Sequence, residues 1–159
     1  MKHNIKDIHT IIIHGSFTKA SQNYTAEMLE RDHNARGISS PMGYHYYIRR
    51  DGTRIKGREL SRRGAHAAPE NTNTIGICLE GGMREDFNGN YQDQSNWEDN
   101  YTEEQHAECM ILIKDIVLEL SEAGNNIRNL YLKGHCDVEG VTKKCPAFNV
   151  LDKYGWIFA

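Results

Sequence analysis

The chain has 159 residues, which at roughly 100–200 residues per domain makes one domain spanning residues 1–159. Hydrophobic residues are 38% and charged residues 26%, the balance of a folded chain rather than a disordered one. The 19 Lys and Arg against 22 Asp and Glu give a net charge of −3. That excludes the basic excess needed by a broad nucleic-acid or anionic-membrane surface, and no apolar run approaches the roughly 20 residues of a membrane helix.

Met1–Asp7 is polar and lacks the apolar core of a secretory signal, so the expectation is cytoplasmic synthesis without a cleaved signal peptide. Ile8–Ile13 is short, β-branched and almost wholly apolar, the pattern of a strand buried on both faces. Thr25–Ala35 places Ala26, Leu29 and His33 on one helical face, with Gly37 as a stop. Tyr44–Ile48 is aromatic and β-branched and reads as a strand, with Tyr44 and Tyr46 on one face and His45 and Tyr47 on the other. Arg50–Thr53 is a turn and Thr53–Lys56 the returning hairpin strand. Thr74–Leu79 is a second central strand. Met83–Tyr101 is polar and rich in Asn, Asp and Gly, and reads either as an elaborated rim or as plain surface. Thr102 and Gln105 have capping-box spacing before a helix that runs to Gly124. Asn129–Leu132 is a short strand and Phe148–Trp156 a short helix. The alternation specifies an α/β domain with a central mixed β-sheet flanked by helices.

Four cysteines are too few for a disulfide scaffold, for which over ~8% is usual. Cys78 and Cys109 lie in apolar runs and read as core. His14 ends the first apolar strand, where strand ends open into a site, and Gly15-Ser16 permits a tight loop. His135 follows another apolar strand, and Cys145-Pro146 lies just beyond. Two imidazoles and a thiolate suit Zn²⁺, and three protein ligands leave a fourth position for water, as in a catalytic site. Cys136 neighbours His135, but adjacent residues rarely turn to the same ion. A phenol of the aromatic strand is a candidate donor to a developing oxyanion.

The ordered series Ile-Ile-His-Gly-Ser, Gly-Tyr-His-Tyr-Tyr-Ile-Arg-Arg-Asp-Gly-Thr, Gly-Ala-His-Ala, Asn-Thr-Ile-Gly-Ile-Cys-Leu-Glu-Gly-Gly and Gly-His…Lys-Lys-Cys-Pro-Ala-Phe resembles the zinc-dependent N-acetylmuramoyl-L-alanine amidases. Within them it is similar to small phage endolysins related to peptidoglycan recognition proteins. The resemblance runs from about Ile8 to Trp156. It implies Zn²⁺ held by His14, His135 and Cys145, with Tyr44 and Lys143 catalytic and His66 lining the substrate groove. It further implies hydrolysis of the amide between N-acetylmuramic acid and L-alanine of bacterial peptidoglycan, by a monomer with no nucleic-acid or membrane partner. The region from His135 to Cys145 is slightly longer than in the shortest endolysins, which makes Lys144 a rival of Lys143, and Cys136 has no counterpart role. Two alternatives are a non-catalytic peptidoglycan-binding module and a cytoplasmic muropeptide-recycling amidase. The resemblance implies an aspartate at the third ligand position of recycling amidases and frequent loss of the cysteine in binding-only proteins, so Cys145 favours the lytic enzyme.

The remaining histidines have bland readings. His33 reads as a packing or capping residue and His45 as structural. His3, His9 and His106, without local partners, read as surface or helix residues. Arg49, Arg50, Arg54, Arg58, Arg62 and Arg63 form a basic cluster that is either a solvated face or a groove wall meeting stem-peptide carboxylates.

Overall fold

The first strand, β1 (Thr10–Gly15), is buried along its whole length, as its run of three isoleucines requires. Side chains alternate across a strand. Ile11 and Ile13 accordingly enter the main core, while Ile12 packs on the other face with Ala67 and Val138. His14 shares the face of Ile12. The computed structural model describes residues 1–158. Its further strands are β2 (Thr18–Lys19), β3 (Tyr46–Ile48), β4 (Arg54–Lys56), β5 (Thr74–Leu79), β6 (Gly82–Met83) and β7 (Tyr131–Gly134).

Five strands form one sheet in the order β4-β3-β5-β1-β7. The hairpin pair β3–β4 is antiparallel and the other pairs are parallel. β2 and β6 pair separately, parallel to each other. This is the mixed sheet expected from the alternation of elements. Helix α1 (Ala26–Ala35) is capped by Thr25, whose Oγ1 accepts from Met28 N. Gly37, at φ 82, follows its end. Helix α2 (Glu103–Glu122) starts with the expected box: Thr102 Oγ1 accepts from Gln105 N at 3.0 Å, and Gln105 Oε1 accepts from Thr102 N at 2.9 Å. Gln105 is buried, and its amide also donates to Ile48 O and Glu80 O, pinning α2 to the ends of β3 and β5. Cys109, Leu112, Ile113, Ile116 and Leu120 of α2 pack on the isoleucine face of the sheet, joined by Val150 and Tyr154 of the short helix α3 (Val150–Tyr154). The other face carries a smaller cluster of Leu29, Met42, Tyr47 and Cys78 under α1. Among the described residues no helix is long and apolar enough to cross a membrane, and all four cysteines are free thiols.

Several expectations are corrected. Regular β3 begins at Tyr46, and residues 43–45 form a bend. The bend breaks the alternation: Tyr44 joins the cluster of Tyr47 and Cys78, whereas Tyr46 packs against the main core. β1 and β7 each lie two residues later than the apolar pattern suggests, β7 because residues Ile127–Asn129 are used in a 3₁₀ turn. Residues 83–101 are not plain surface, since Met83 bridges to Trp97, a 3₁₀ turn spans Gln94–Asn96, and Asn96 and Tyr101 are buried.

His3 and His106 have partners far along the chain. His3 is buried, donating Nε2–H to Leu60 O at 2.7 Å and accepting from Asn73 N at 2.8 Å. His106 bonds the Tyr154 hydroxyl at 2.6 Å. None of the six arginines lines the cavity that holds His14, and three are engaged elsewhere. Arg58 is buried and donates to Met42 O, Arg63 O and Ser39 O. Arg49 pairs with buried Glu80, and Arg54 with Glu108 and Asp115.

His45 is structural, as expected. It accepts from Gly76 N and donates to Arg62 O. Burial pushes its pKa down to about 4, and that of His33 likewise to about 4. The unfolded chain, with histidines near ~6.5, binds more protons than the folded one between these values. Stability from these two groups is therefore present above pH ~6.5 and is lost as the pH falls toward 4. Urea midpoints measured from pH 7.5 down to 4.5 should decline through this window, and His45→Gln, less stable at pH 7.5, should decline less steeply.

Candidate active site

Beyond the C-terminal ends of β1 and β7 lies a cavity of about 550 Å³. His14 reaches it from β1, and His135 from the 3₁₀ turn His135–Asp137 that follows β7. Cys145 comes from the next loop. Its backbone carbonyl accepts from Cys136 N at 2.7 Å, and its Sγ accepts from Gly15 N at 3.2 Å. The Tyr101 hydroxyl donates to Pro146 O at 2.8 Å. Gly15 is obligatory there, because a Cβ would stand 2.0 Å from that hydroxyl.

One ligand atom from each of His14, His135 and Cys145 lies within 4.8 Å of the others. A tetrahedral zinc ion with bonds of ~2.0–2.3 Å sets its ligand atoms roughly 3.3–3.7 Å apart, so a sub-ångström to ångström adjustment of side chains would seat it. The donor chemistry fits too. Burial holds the His14 imidazole well below its usual range and pushes His135 down to about 4, leaving both neutral, the form that ligates metal. Burial pushes the Cys145 thiol up to about 12, and a coordinating ion removes that proton. Cys136 stands apart, half-buried, with its Sγ 3.8 Å from Asp137 Oδ1.

His66 is the unexpected neighbour. It lines the cavity, but its Nδ1 is also 2.8 Å from His14 Nε2. Its Nε2 is 3.2 Å from Thr74 Oγ1, whose hydroxyl donates to Glu70 O at 2.6 Å. With donors running in one direction, His14 Nε2–H bonds His66, His66 Nε2–H bonds Thr74, and Nδ1 of His14 is left for a metal. Asn71 Oδ1 accepts from the backbone N–H of both His66 and Ala67. Gly64 and Gly76 make room for the ring; a Cβ on either would lie within 2.7 Å of it.

Tyr44 lines the cavity with its ring centroid 5.0 Å from that of His14 and 5.2 Å from that of His33. Burial raises its phenol well above 10, so it is a neutral donor. His33 supports this corner, its Nδ1 accepting from Gly43 N at 2.9 Å. Lys143 lines the cavity, whereas Lys144 is held at the outside through its N–H to Gln94 Oε1. The cavity brings in further residues that the sequence pattern does not flag. Arg36 and Ile38 come from the end of α1, Asn71 from the loop before β5, and Phe17, Tyr91 and Trp97 from the loops after β1 and β6. Arg36 had a local signal, its place beside the Gly37 stop, but nothing in the spacing separated it from the six arginines downstream.

Residues 4–148 match the family model described as N-acetylmuramoyl-L-alanine amidase. The chain belongs to the N-acetylmuramoyl-L-alanine amidase family. The amidase is 31% identical over 140 residues to the endolysin of Escherichia phage T7, a match covering 88% of this chain and 81% of that one. Among solved structures it is similar to the N-acetylmuramoyl-L-alanine amidase LysC from Clostridium intestinale URNW, at 27% identity and a TM-score of 0.67, covering 94% of this chain and 83% of that one. Apis mellifera PGRP-SA shares the fold, with a TM-score of 0.69 at 18% identity, covering 99% of this chain and 85% of that one. This amidase is thus an enzyme of the amide-hydrolase class on an α/β fold.

Outer hydrogen-bond partners of a ligating histidine fix its tautomer and ring orientation, and their loss typically costs 10–100-fold in metal affinity. His66→Phe and Gly76→Ala are both expected to weaken zinc retention by roughly that factor, read by competition with a chelating dye. His9→Ala, at an exposed position, serves as the control.

Proposed function

We propose that this amidase is a zinc-dependent endolysin that hydrolyses the amide between N-acetylmuramic acid and L-alanine in bacterial peptidoglycan. The observation that carries the reading is the convergence of His14, His135 and Cys145 on one cavity floor beside Tyr44 and Lys143. His14, His135 and Cys145 would hold the ion. When bound, zinc supplies Lewis acidity, making water acidic near neutral pH and drawing charge from a carbonyl oxygen.

The chain's own groups do the rest. Lys143 brings a positive charge to the cavity, where negative charge builds on the carbonyl oxygen as the amide carbon becomes tetrahedral. Tyr44, kept as a neutral phenol by burial, donates a hydrogen bond to that oxygen; such preorganised donors are among the largest contributors to acyl-transfer rates. His66 and Thr74 hold His14 in one orientation. Arg36 and Asn71 offer a guanidinium and a carboxamide to the carboxylates and amides of the stem peptide. In this reading the catalytic unit is a single domain, residues 1–159, acting as a monomer on the cell wall.

Purified peptidoglycan is expected to yield new N-terminal alanine without new reducing sugar, and a zinc chelator should stop the release. Cys145→Ala should lose bound zinc and turnover together. Lys143→Ala should keep zinc while kcat drops about 10²–10³-fold, and Lys144→Ala should stay within about twofold of the parent. Full activity in Lys143→Ala with a dead Lys144→Ala would reverse the lysine assignment. Activity confined to soluble muropeptides would make the chain a recycling enzyme.

A further inference from the structure

A group of aromatic side chains adjoins the metal-ligand cluster without belonging to the core. Phe17 stacks on Trp97 with centroids 4.4 Å apart and planes at 29°. Phe87 and Tyr91 meet Phe17 edge-on at 6.0 and 6.1 Å, and each other at 4.8 Å. Tyr91 is 65% exposed, and neither main core cluster includes any of the four. Phe17, Tyr91 and Trp97 line the same cavity as His14 and Cys145, together with Gln92.

Hydrogen bonds tie the loop that carries Tyr91 and Trp97, which lowers the cost of ordering a binding surface. Phe17 has φ 56, a left-handed conformation uncommon for a bulky side chain. The loop behind Tyr91 and Trp97 is tied by its own amides. Asn96 Nδ2 donates to Asn88 Oδ1 and Asn90 O, and Asn88 Nδ2 donates to Asp93 Oδ2. Gln94 Oε1 fastens this loop to the loop of Lys143 through Lys144 N.

We infer that Phe17, Tyr91 and Trp97 form a subsite for a saccharide ring of the glycan strand adjoining the muramoyl residue whose amide is cut. The inference rests on the amidase reading for its orientation, because that bond joins a sugar to a peptide. One flank of the reacting carbonyl must therefore take a sugar and the other a peptide. Flat apolar ring faces suit the C–H face of a pyranose, and Gln92 at the rim suits its hydroxyl and acetamido groups. The guanidinium of Arg36 and the amide of Asn71 suit the charged peptide instead.

Two measurements test this. First, kcat/KM is compared for a muramoyl-peptide bearing one sugar and for the same peptide on a tetrasaccharide of alternating N-acetylglucosamine and N-acetylmuramic acid. An aromatic contact of ordinary strength gives the longer glycan an advantage of up to about tenfold. Tyr91→Ala should reduce that ratio toward one, and Tyr91→Phe should retain it. Second, a β-1,4-linked N-acetylglucosamine tetramer is titrated while Trp97 fluorescence is followed in a Trp156→Phe background. A saturable change that Tyr91→Ala weakens supports the subsite. Normal cleavage of peptidoglycan with no glycan-length preference and no response of Trp97 overturns the subsite and leaves the amidase standing. A response to a free stem peptide in place of the tetramer also overturns it. A Trp97 response in a protein that cleaves no peptidoglycan keeps the saccharide site and overturns the amidase reading.

Discussion

A buried imidazole has to have both nitrogens employed, and much of this molecule is arranged around meeting that demand at His14. The residue is the last but one of a fully buried strand, so bulk water does not satisfy it. One nitrogen is taken by His66, and the ring stands in one cluster with His135 and Cys145. His66 in turn is admitted only because two glycines, one on β5, carry no side chain where its ring lies. It is oriented by Thr74 at the start of that same strand. The parallel pairing of β1 with β5 runs from Thr10↔Thr74 to Gly15↔Leu79 and thereby fixes His14 and the support of His66 together.

The same logic explains why the resemblance motifs are where they are. Ile-Ile-His-Gly-Ser is strand, cavity histidine and tight loop; Gly-Ala-His-Ala is seat and support; the glycine of Thr-Ile-Gly-Ile is the space the support needs. Lys-Lys-Cys-Pro places one lysine in the cavity and ties the other to Gln94. Each motif is short and weakly informative alone, but each supplies a different side of one small volume.

Local features were legible from the sequence and long-range ones were not. Thr74–Leu79 and the Thr102–Gln105 cap are recognisable because their determinants lie within a few residues of each other. The partners of His3 are 57 and 70 residues away, and no periodicity announces them. The arginines after residue 48 looked like a patch because they are close in sequence, yet the fold sends Arg49 to Glu80, Arg54 to α2 and Arg58 to backbone carbonyls. Arg36, isolated in sequence, is the one that reaches the cavity. The faces of Tyr44 and Tyr46 were misassigned for a related reason. Alternation applies within a regular strand, and the strand starts one residue after His45. The group of His14, His135 and Cys145, which the structure brings together, was proposed from residue chemistry and family resemblance, and the Phe17–Trp97 pair comes from the structure alone.

The contact between Gly15 and Cys145 joins residues 130 positions apart, and β7, an edge strand, reaches the sheet by pairing with β1. A growing chain therefore carries His14 and its partner His66 through most of its synthesis before His135 and Cys145 exist. The three-residue cluster is complete only once β7 and the loop after it have joined the sheet beside β1. A chain that stops before Cys145 lacks one of the three side chains of that cluster.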